Sequence, residues 1–392
     1  MAADGEDAQF VEQDVPMDTL IDLLHLRYQF TSEYSSEAEK QAARQGIIDA
    51  VKSRNMVAYA AVVGEMVGMK LTQADVKAMQ AANEAKLLSI AEKLKDAEEN
   101  LGDVEVRDQL LAKCEHYASV GELEECLKES AACMAKTLAV GPKLDLCFQR
   151  IRLGFAYSNH TIVNDALADA QKLLKDGDWE RRNRMKMYEG LYCVFVRQFD
   201  KGAKLLLDGL STFAATELMS FQQYIFITGV AGLATLDRAG LKKHLVDCPE
   251  VLAANDKELN ALITALYECK YNEFFDALAA VCHKMRRSVF LNAHVNYFFR
   301  ELRVKVFNQF LDSYSSVTLQ SMATSFAIPV NVLDTMLYTL VSNERLACKI
   351  DRVSGNVLTY RGDQINFQYH RIVKEGDILL NKIQKLSRVV EM

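Results

Sequence analysis

Three short stretches decide the fold: Gly121-Glu-Leu-Glu-Glu-Cys-Leu127, His160-Thr-Ile-Val-Asn-Asp-Ala166 and Gln198-Phe-Asp-Lys-Gly-Ala203. Each follows one amphipathic helical pattern and opens another. Aligning Leu123, Ile162 and Phe199 gives steps of 39 and 37 residues, with Cys126, Asp165 and Gly202 trailing by three. Recurrence at this interval marks helix hairpins somewhat longer than the ~34-residue tetratricopeptide unit. Such a hairpin cannot cover its own apolar face, so successive copies must stack into a solenoid, whose concave surface typically binds proteins. Residues 71–213 are assigned to this array.

On the amino-terminal side, Thr72 caps a helix with Asp75 in its first turn, running to the break at Asn100-Leu-Gly102. Leu87, Ile90, Leu94, Ala97 and Leu101 step by three and four and form a heptad-like seam. Such a seam needs a partner; its own domain is the plain candidate, another molecule the functional one. Residues 1–40 hold ten carboxylates against Arg27 and Lys40, a local charge of −8. Roughly the first 15 residues read as a solvated tail. Spacing improves from Leu20, and Ile47 to Met69 is helix-like without strong caps, so residues 1–70 form an acidic, partly helical lead-in.

On the carboxy-terminal side the pattern loosens but stays helical over residues 214–314. The charge-free run Leu218–Leu236 reaches membrane-spanning length, yet Ser220, Gln222, Gln223, Tyr224, Thr228 and two glycines dilute it. A buried helix pair is expected there. Pro249 opens a further helix, and Glu258–His283 and Asn292–Tyr314 follow. Residues 315–363 change character: Leu319, Met322, Ala323 and Phe326 fit a short helix, Ala327-Ile328 a turn, and Pro329 the start of a second helix. Two β-like runs, Leu346–Ile350 and Asn356–Tyr360, flank the turn Asp351-Arg-Val-Ser-Gly355. Helix, turn, helix and β-hairpin describe a winged helix. Residues 364–392 return to helix, with Ile372, Leu379, Ile383, Leu386 and Val390 on a second heptad seam. The fold class is therefore mainly α: a right-handed, tetratricopeptide-like solenoid, then a winged-helix module with a small β-hairpin, then a terminal helix.

Composition agrees. Among 392 residues, 50% are hydrophobic and 25% charged, which excludes wholesale disorder, and only 4 prolines and 18 glycines occur, too few for a turn-rich β-sandwich. The 53 acidic and 46 basic residues give a net charge of −7. Nine cysteines, none in a C-x-x-C pair, suggest a reducing compartment without disulfides. The acidic start MAADGEDAQF lacks an apolar signal core, so a soluble protein of cytoplasm and nucleus is expected, with no membrane partner.

Chemistry is hard to find. No phosphate loop, G-x-G-x-x-G turn, H-E-x-x-H or G-x-S-x-G elbow occurs. Cys114 with His116, and Cys282 with His283, lack a second pair to complete a zinc site and read as helix packing. The run Trp179-Glu-Arg-Arg-Asn-Arg184 could hold an anion, but Gly177-Asp178 make it the charged first turn of a helix whose arginines bridge repeats. Nucleophile, base and oxyanion donor never converge, so no catalytic, cofactor-binding or metal-ligating residue is assigned.

Residues 281–392 carry 15 basic against 9 acidic side chains, which raises the question of nucleic acid. A DNA-reading helix needs Arg, Lys, Asn or Gln at its exposed positions; Pro329–Ser342 offers only Asn331, beside an unhelpful Asp334. Lys349, Arg352, Arg361, Lys382, Lys385 and Arg388 read as solvated charges or as pairs with acidic neighbours. No nucleic acid is expected to bind.

Several stretches resemble a known family: Asn83–Arg107, Gly177–Phe213 with its Gly-Asp-Trp start, Leu266-Tyr-Glu-Cys269, Cys348-Lys-Ile-Asp-Arg352, and Gly376–Val390 with its Lys-Leu-Ser-Arg segment. They are similar to the PCI-domain subunits of the 26S proteasome lid, specifically the non-ATPase regulatory subunit 6 family. The resemblance covers essentially the whole chain except about its first 45 residues. It implies a non-catalytic scaffold without cofactor in a hetero-oligomer, with other lid subunits of PCI and MPN type as partners and the ATPase ring as a further candidate contact. Winged helices of such lids associate in an arc, and the terminal helices gather in a bundle. The H-x-H element of the lid's metal-dependent deubiquitinase is missing here. The related alternative is a scaffold like subunit 1 of the COP9 signalosome; the chain's end soon after Lys385-Leu-Ser-Arg388 favours the lid. A PCI protein binding RNA or DNA would want a basic, aromatic wing, for which Tyr360-Arg361 is a thin candidate.

Overall fold

The repeating stretches turn out to be the hinges of antiparallel helix pairs. The computed structural model describes residues 17–69, 72–100, 102–174, 178–359 and 364–390. Helices run in the order α1 (Thr19–Thr31), α2 (Glu37–Arg54), α3 (Val57–Val67), α4 (Gln73–Asn100), α5 (Asp103–Val120), α6 (Leu123–Lys136), α7 (Val140–Ala156), α8 (His160–Leu173), α9 (Trp179–Phe195) and α10 (Phe199–Asp208). They continue as α11 (Phe221–Thr235), α12 (Arg238–Leu241), α13 (Pro249–Ala253), α14 (Lys257–Tyr267), α15 (Tyr271–Arg286) and α16 (Val295–Leu311). The end of the chain is β1 (Ser316–Thr318), α17 (Leu319–Phe326), α18 (Val330–Ser342), β2 (Cys348–Asp351), β3 (Asn356–Thr359) and α19 (Gln364–Val390). Two compact units emerge: the described residues up to Ile263 with Ala280–Asn296, and Thr264–Ala279 with the chain from Tyr297 onward. The divisions drawn from sequence at 70 and 213 both fall inside the first unit.

In the first unit α5 pairs with α6, α7 with α8 and α9 with α10. Burial corrects the repeat register. Cys126, Ser130 and Cys133 of α6 occupy the place of Val163, Leu167 and Ala170 of α8 and of Phe199, Ala203 and Leu206 of α10. The true steps between second helices are 37 and 36 residues. Ile162 is only half-buried and Asp165 is exposed, so the alignment on Leu123 and Ile162 was displaced toward the helix starts. Glycine sets how closely the pairs approach: a Cβ on Gly154 of α7 would lie 2.6 Å from Val163, and one on Gly190 of α9 2.8 Å from Leu206.

The lead-in differs from its expected weak character. Asp18 caps α1, and Ser36 with Glu39 forms a full capping box on α2. The stretch Ile47–Met69 is two helices, because Asn55 adopts the left-handed conformation (φ 56°) that ends α2. Leu20, Ile21, Leu23 and Leu24 of α1 are buried, and α1 packs on α7. Arg152 of α7 donates to Asp18 at 2.6 Å and to the Tyr188 hydroxyl at 2.7 Å, which accounts for a nearly buried guanidinium. The tail assigned to roughly the first 15 residues lies outside the described residues.

The charge-free run is one helix rather than a pair: α11 is capped by Ser220, ten of its residues are buried, and a Cβ on Gly229 would meet Leu259 at 2.6 Å. Among the described residues no single helix is long and apolar enough to cross a membrane. Glu258–His283 is likewise two helices, α14 and α15, divided at Cys269 with φ 61°.

In the second unit Phe326, at the end of α17, is the aromatic hub. Its ring lies 5.0 Å from Tyr271, 5.1 Å from Phe307 and 5.2 Å from Phe310, which fastens the winged helix to α15 and α16. The sheet has the order β1-β3-β2 and is antiparallel throughout, with Val317 opposite Val357 and Ile350 opposite the same residue. The wing therefore has a third strand, Ser316–Thr318, that the sequence reading missed; three residues are too short to show alternation.

Candidate assembly surface

Two heptad seams stand out in the sequence, and the structure treats them oppositely. On α4, Leu87, Ile90 and Leu94 are half-buried and Ala97 is fully buried. Leu94 and Ala97 pack in one cluster with Val106, Leu110 and Cys114 of α5. The partner of that seam is the next helix of the same chain. Leu101 lies outside the described residues. Asn83, unremarked in the sequence, is buried and donates to the Asn55 carbonyl at 2.9 Å, fixing α4 to the end of α2.

Among the described residues the seam of α19 has no such cover. Ile372, Leu379, Ile383, Leu386 and Val390 are 55–78% exposed, and every other residue of this helix whose side chain is described is exposed as well. At 100° per residue the five fall within a narrow arc, and Tyr369, Val373 and Leu380 extend the same face. These three were missed because a strict heptad reading admits only two positions in seven. The widened stripe suits a bundle, in which a helix touches more than one neighbour, better than a two-stranded coil. Asn381 and Arg388 lie on the far side. Arg371 donates to Glu375 at 2.8 Å, and this hydrogen bond raises the already high guanidinium pKa.

The winged helix presents little for nucleic acid. Arg352, on the wing turn, donates to Asp334 of α18 at 2.9 Å, and its guanidinium sits 5.9 Å from the Tyr338 ring. This cation is thus tied to a carboxylate of α18 itself. Asp351 accepts from the Val353 and Ser354 amides and from the Ser354 hydroxyl; these bonds hold its carboxyl below the usual range and shape the turn ending at Gly355, φ 68°. Tyr360 and Arg361 lie outside the described residues. Val332 and Tyr338 are exposed on α18, an apolar rather than basic surface.

The arginine run at the start of α9 joins repeats. Arg181 makes a bidentate pair with Asp145 of α7, at 3.1 and 2.8 Å, and a 2.9 Å bond to Asp178. Arg184 lies 3.5 Å from Glu217 and 3.3 Å from Glu180. Cys114 and Cys282 are buried, and burial pushes the Cys282 thiol up to about 11. Among the described residues, no three His, Cys, Asp or Glu side chains converge as a metal site.

Comparison with known proteins agrees with this geometry. The family described as 26S proteasome subunit RPN7 matches residues 72–244, the PCI domain residues 274–361, and the RPN7/PSMD6 C-terminal helix residues 368–390. The last of these is the exposed helix α19. The 26S proteasome non-ATPase regulatory subunit 6 homolog of Arabidopsis thaliana is 39% identical over 91% of this chain and 93% of its own. The Saccharomyces cerevisiae 26S proteasome regulatory subunit RPN7 is 37% identical over 79% of this chain and 74% of its own. Subunit 1 of the COP9 signalosome complex of Arabidopsis thaliana reaches only 21% over 80% of this chain and 72% of its own. With relatives this similar along nine-tenths of its length, the chain belongs to the RPN7 family of PCI-domain 26S proteasome regulatory subunits.

Proposed function

We propose that this protein is a non-catalytic scaffold subunit of the regulatory-particle lid, serving ATP-dependent degradation of ubiquitinated proteins by holding the lid together. The observation that carries this reading is the apolar face of α19, wide, regular and uncovered by any of the described residues. A helix of 27 residues is about 40 Å long, and a stripe running along most of it loses solvation free energy until other helices cover it. The occupants are the terminal helices of other lid subunits, of PCI and MPN type, with the ATPase ring as a further contact. Cytoplasm and nucleus are the compartments in which such a particle works. The names of the Arabidopsis and yeast proteasome relatives, a non-ATPase regulatory and a regulatory subunit, support the reading, and the Asp334–Arg352 pair weighs against nucleic-acid binding.

Deleting residues 364–392 tests it. The shortened chain is expected to fold, because the described side chains of α19 are exposed, but not to enter the lid. Co-purification of the shortened chain with 26S particles at normal stoichiometry would show the reading to be wrong.

A further inference from the structure

We propose that the first unit carries a separate peptide-docking pocket between α1, α7 and α8, which takes one aromatic side chain followed in sequence by a carboxylate. The cavity measures about 240 Å³. That is below the ~300 Å³ at which pockets for drug-sized ligands begin, and of a size for a single side chain. Phe155, Phe195 and Phe290 line it and meet edge to face: Phe290 lies 5.7 Å from Phe155 at 77° and 6.0 Å from Phe195 at 81°. Leu24 and Val163 add aliphatic wall. Phe155 and Phe290 are almost wholly covered, so the surface open to an incoming ring is that of the half-exposed Phe195. His160, stacked on Phe195 at 5.3 Å, lies exposed among the lining residues.

The charge at this pocket is what makes the ligand specific. Arg27 of α1 donates to the Ser158 hydroxyl at 2.9 Å, and among the described residues it forms no ion pair with any carboxylate. The hollow around Arg152 is different, since there Asp18 already neutralises the cation. A half-exposed guanidinium beside an aromatic floor, held in place by a hydroxyl, matches an anionic group next to an apolar anchor. Neutral anchors would leave that cation unpaired, and basic ones would be repelled. The partner is therefore a protein segment with Phe, Tyr or Trp directly before Asp or Glu. Ser158 contributes through its backbone too: its φ of 54° makes the tight turn from α7 into α8 that brings its hydroxyl to Arg27.

The test titrates the full chain calorimetrically with blocked tetrapeptides: Gly-Phe-Glu-Gly, and versions with Ala for Phe, Gln for Glu, or Lys for Glu. Saturable binding of the first is expected, weakened about tenfold by each replacement. Arg27→Gln should abolish the preference for Glu over Gln while keeping the preference for Phe over Ala. Absence of saturable binding, or equal binding of all four peptides, overturns the proposal, and this peptide series on the unaltered chain decides it even if the variant fails to fold. The outcome does not depend on incorporation into the lid.

Discussion

Replacing Leu386 by Glu separates an intermolecular seam from an ordinary core position. Leu386 is 65% exposed in the free chain, so about two-thirds of its side chain remains to be covered in an assembly. Full burial of a leucine contributes about 1.5–3 kcal/mol, so the uncovered part contributes about 1–2 kcal/mol. The substitution forfeits that and places a carboxylate in an apolar seam, which costs further unless a cation meets it. A combined loss of about 3 kcal/mol lowers association roughly a hundredfold. In the isolated chain the same residue stands in water, and its stability should change by no more than about 0.5 kcal/mol. Asn381→Glu, five residues earlier and on the far side of α19, adds the same charge outside the seam and serves as the control. Two measurements are needed: urea unfolding of each purified chain, and its recovery with affinity-isolated 26S particles. Easier unfolding of the isolated Leu386→Glu chain, its normal incorporation, or an equal defect in Asn381→Glu would refute an intermolecular seam at Leu386.

Three other perturbations probe different parts of the molecule. Phe326→Ala empties the centre of the cluster formed with Tyr271, Phe307 and Phe310, and should destabilise the second unit by about 3–5 kcal/mol, seen as faster amide exchange in α16 and α17; a loss below about 1 kcal/mol would contradict the hub assignment. Burial pushes the His25 imidazole down to about 4, and among the described residues its Nε2 has no hydrogen-bond partner. The unfolded state therefore binds the proton first, and stability falls as pH drops from about 6.5 toward 4, by about 2 kcal/mol at pH 5. His25→Phe, which keeps an aromatic ring against Phe290, should remove that part of the pH dependence in urea titrations, and an unchanged slope would refute the assignment. Gly376 lies mid-helix in α19, and a Cβ added there would meet nothing within 4 Å, so Gly→Ala gains about 1 kcal/mol of helix stability. Gly376→Ala should thus raise the helicity of residues 364–392 by circular dichroism, and no gain would mean that α19 is already held by contacts.

How much was legible depended on whether the signal was local. The hairpins showed because each carries its own 3.6-residue periodicity, and the winged helix showed because Pro329 and the Asp351–Gly355 turn punctuate it. Boundaries set by backbone conformation did not show: Asn55 and Cys269 end helices in the left-handed region, which their side chains alone do not announce. The repeat register slipped for a related reason. Leu123 and Ile162 are large and apolar, yet the positions at the helix contacts are the smaller Cys126 and the next-door Val163, set by the approach that Gly154 permits. The candidate pocket was invisible because it joins Arg27, Ser158 and Phe290, which are remote in sequence.

The two seams make the same point about function. Leu87, Ile90 and Leu94 on α4 and Leu379, Ile383 and Leu386 on α19 have almost the same spacing, so periodicity alone could not say which one waits for another molecule. What separates them is the neighbourhood along the chain. Only two residues join α4 to α5, an amphipathic helix of 18 residues, and so short a link makes antiparallel pairing the easy outcome. Among the described residues no helix covers the side chains of α19. Stripe width separates them too: α4 shows Lys86 and Lys93 beside its apolar positions, while Tyr369, Val373 and Leu380 widen the face of α19. A wide stripe can be covered by two or more neighbours at once, and the 18-residue α5 is too short to cover the 27-residue α19 even if it were free. The length and breadth of this face suit a partner surface made of more than one helix better than a single helix of the size of α5.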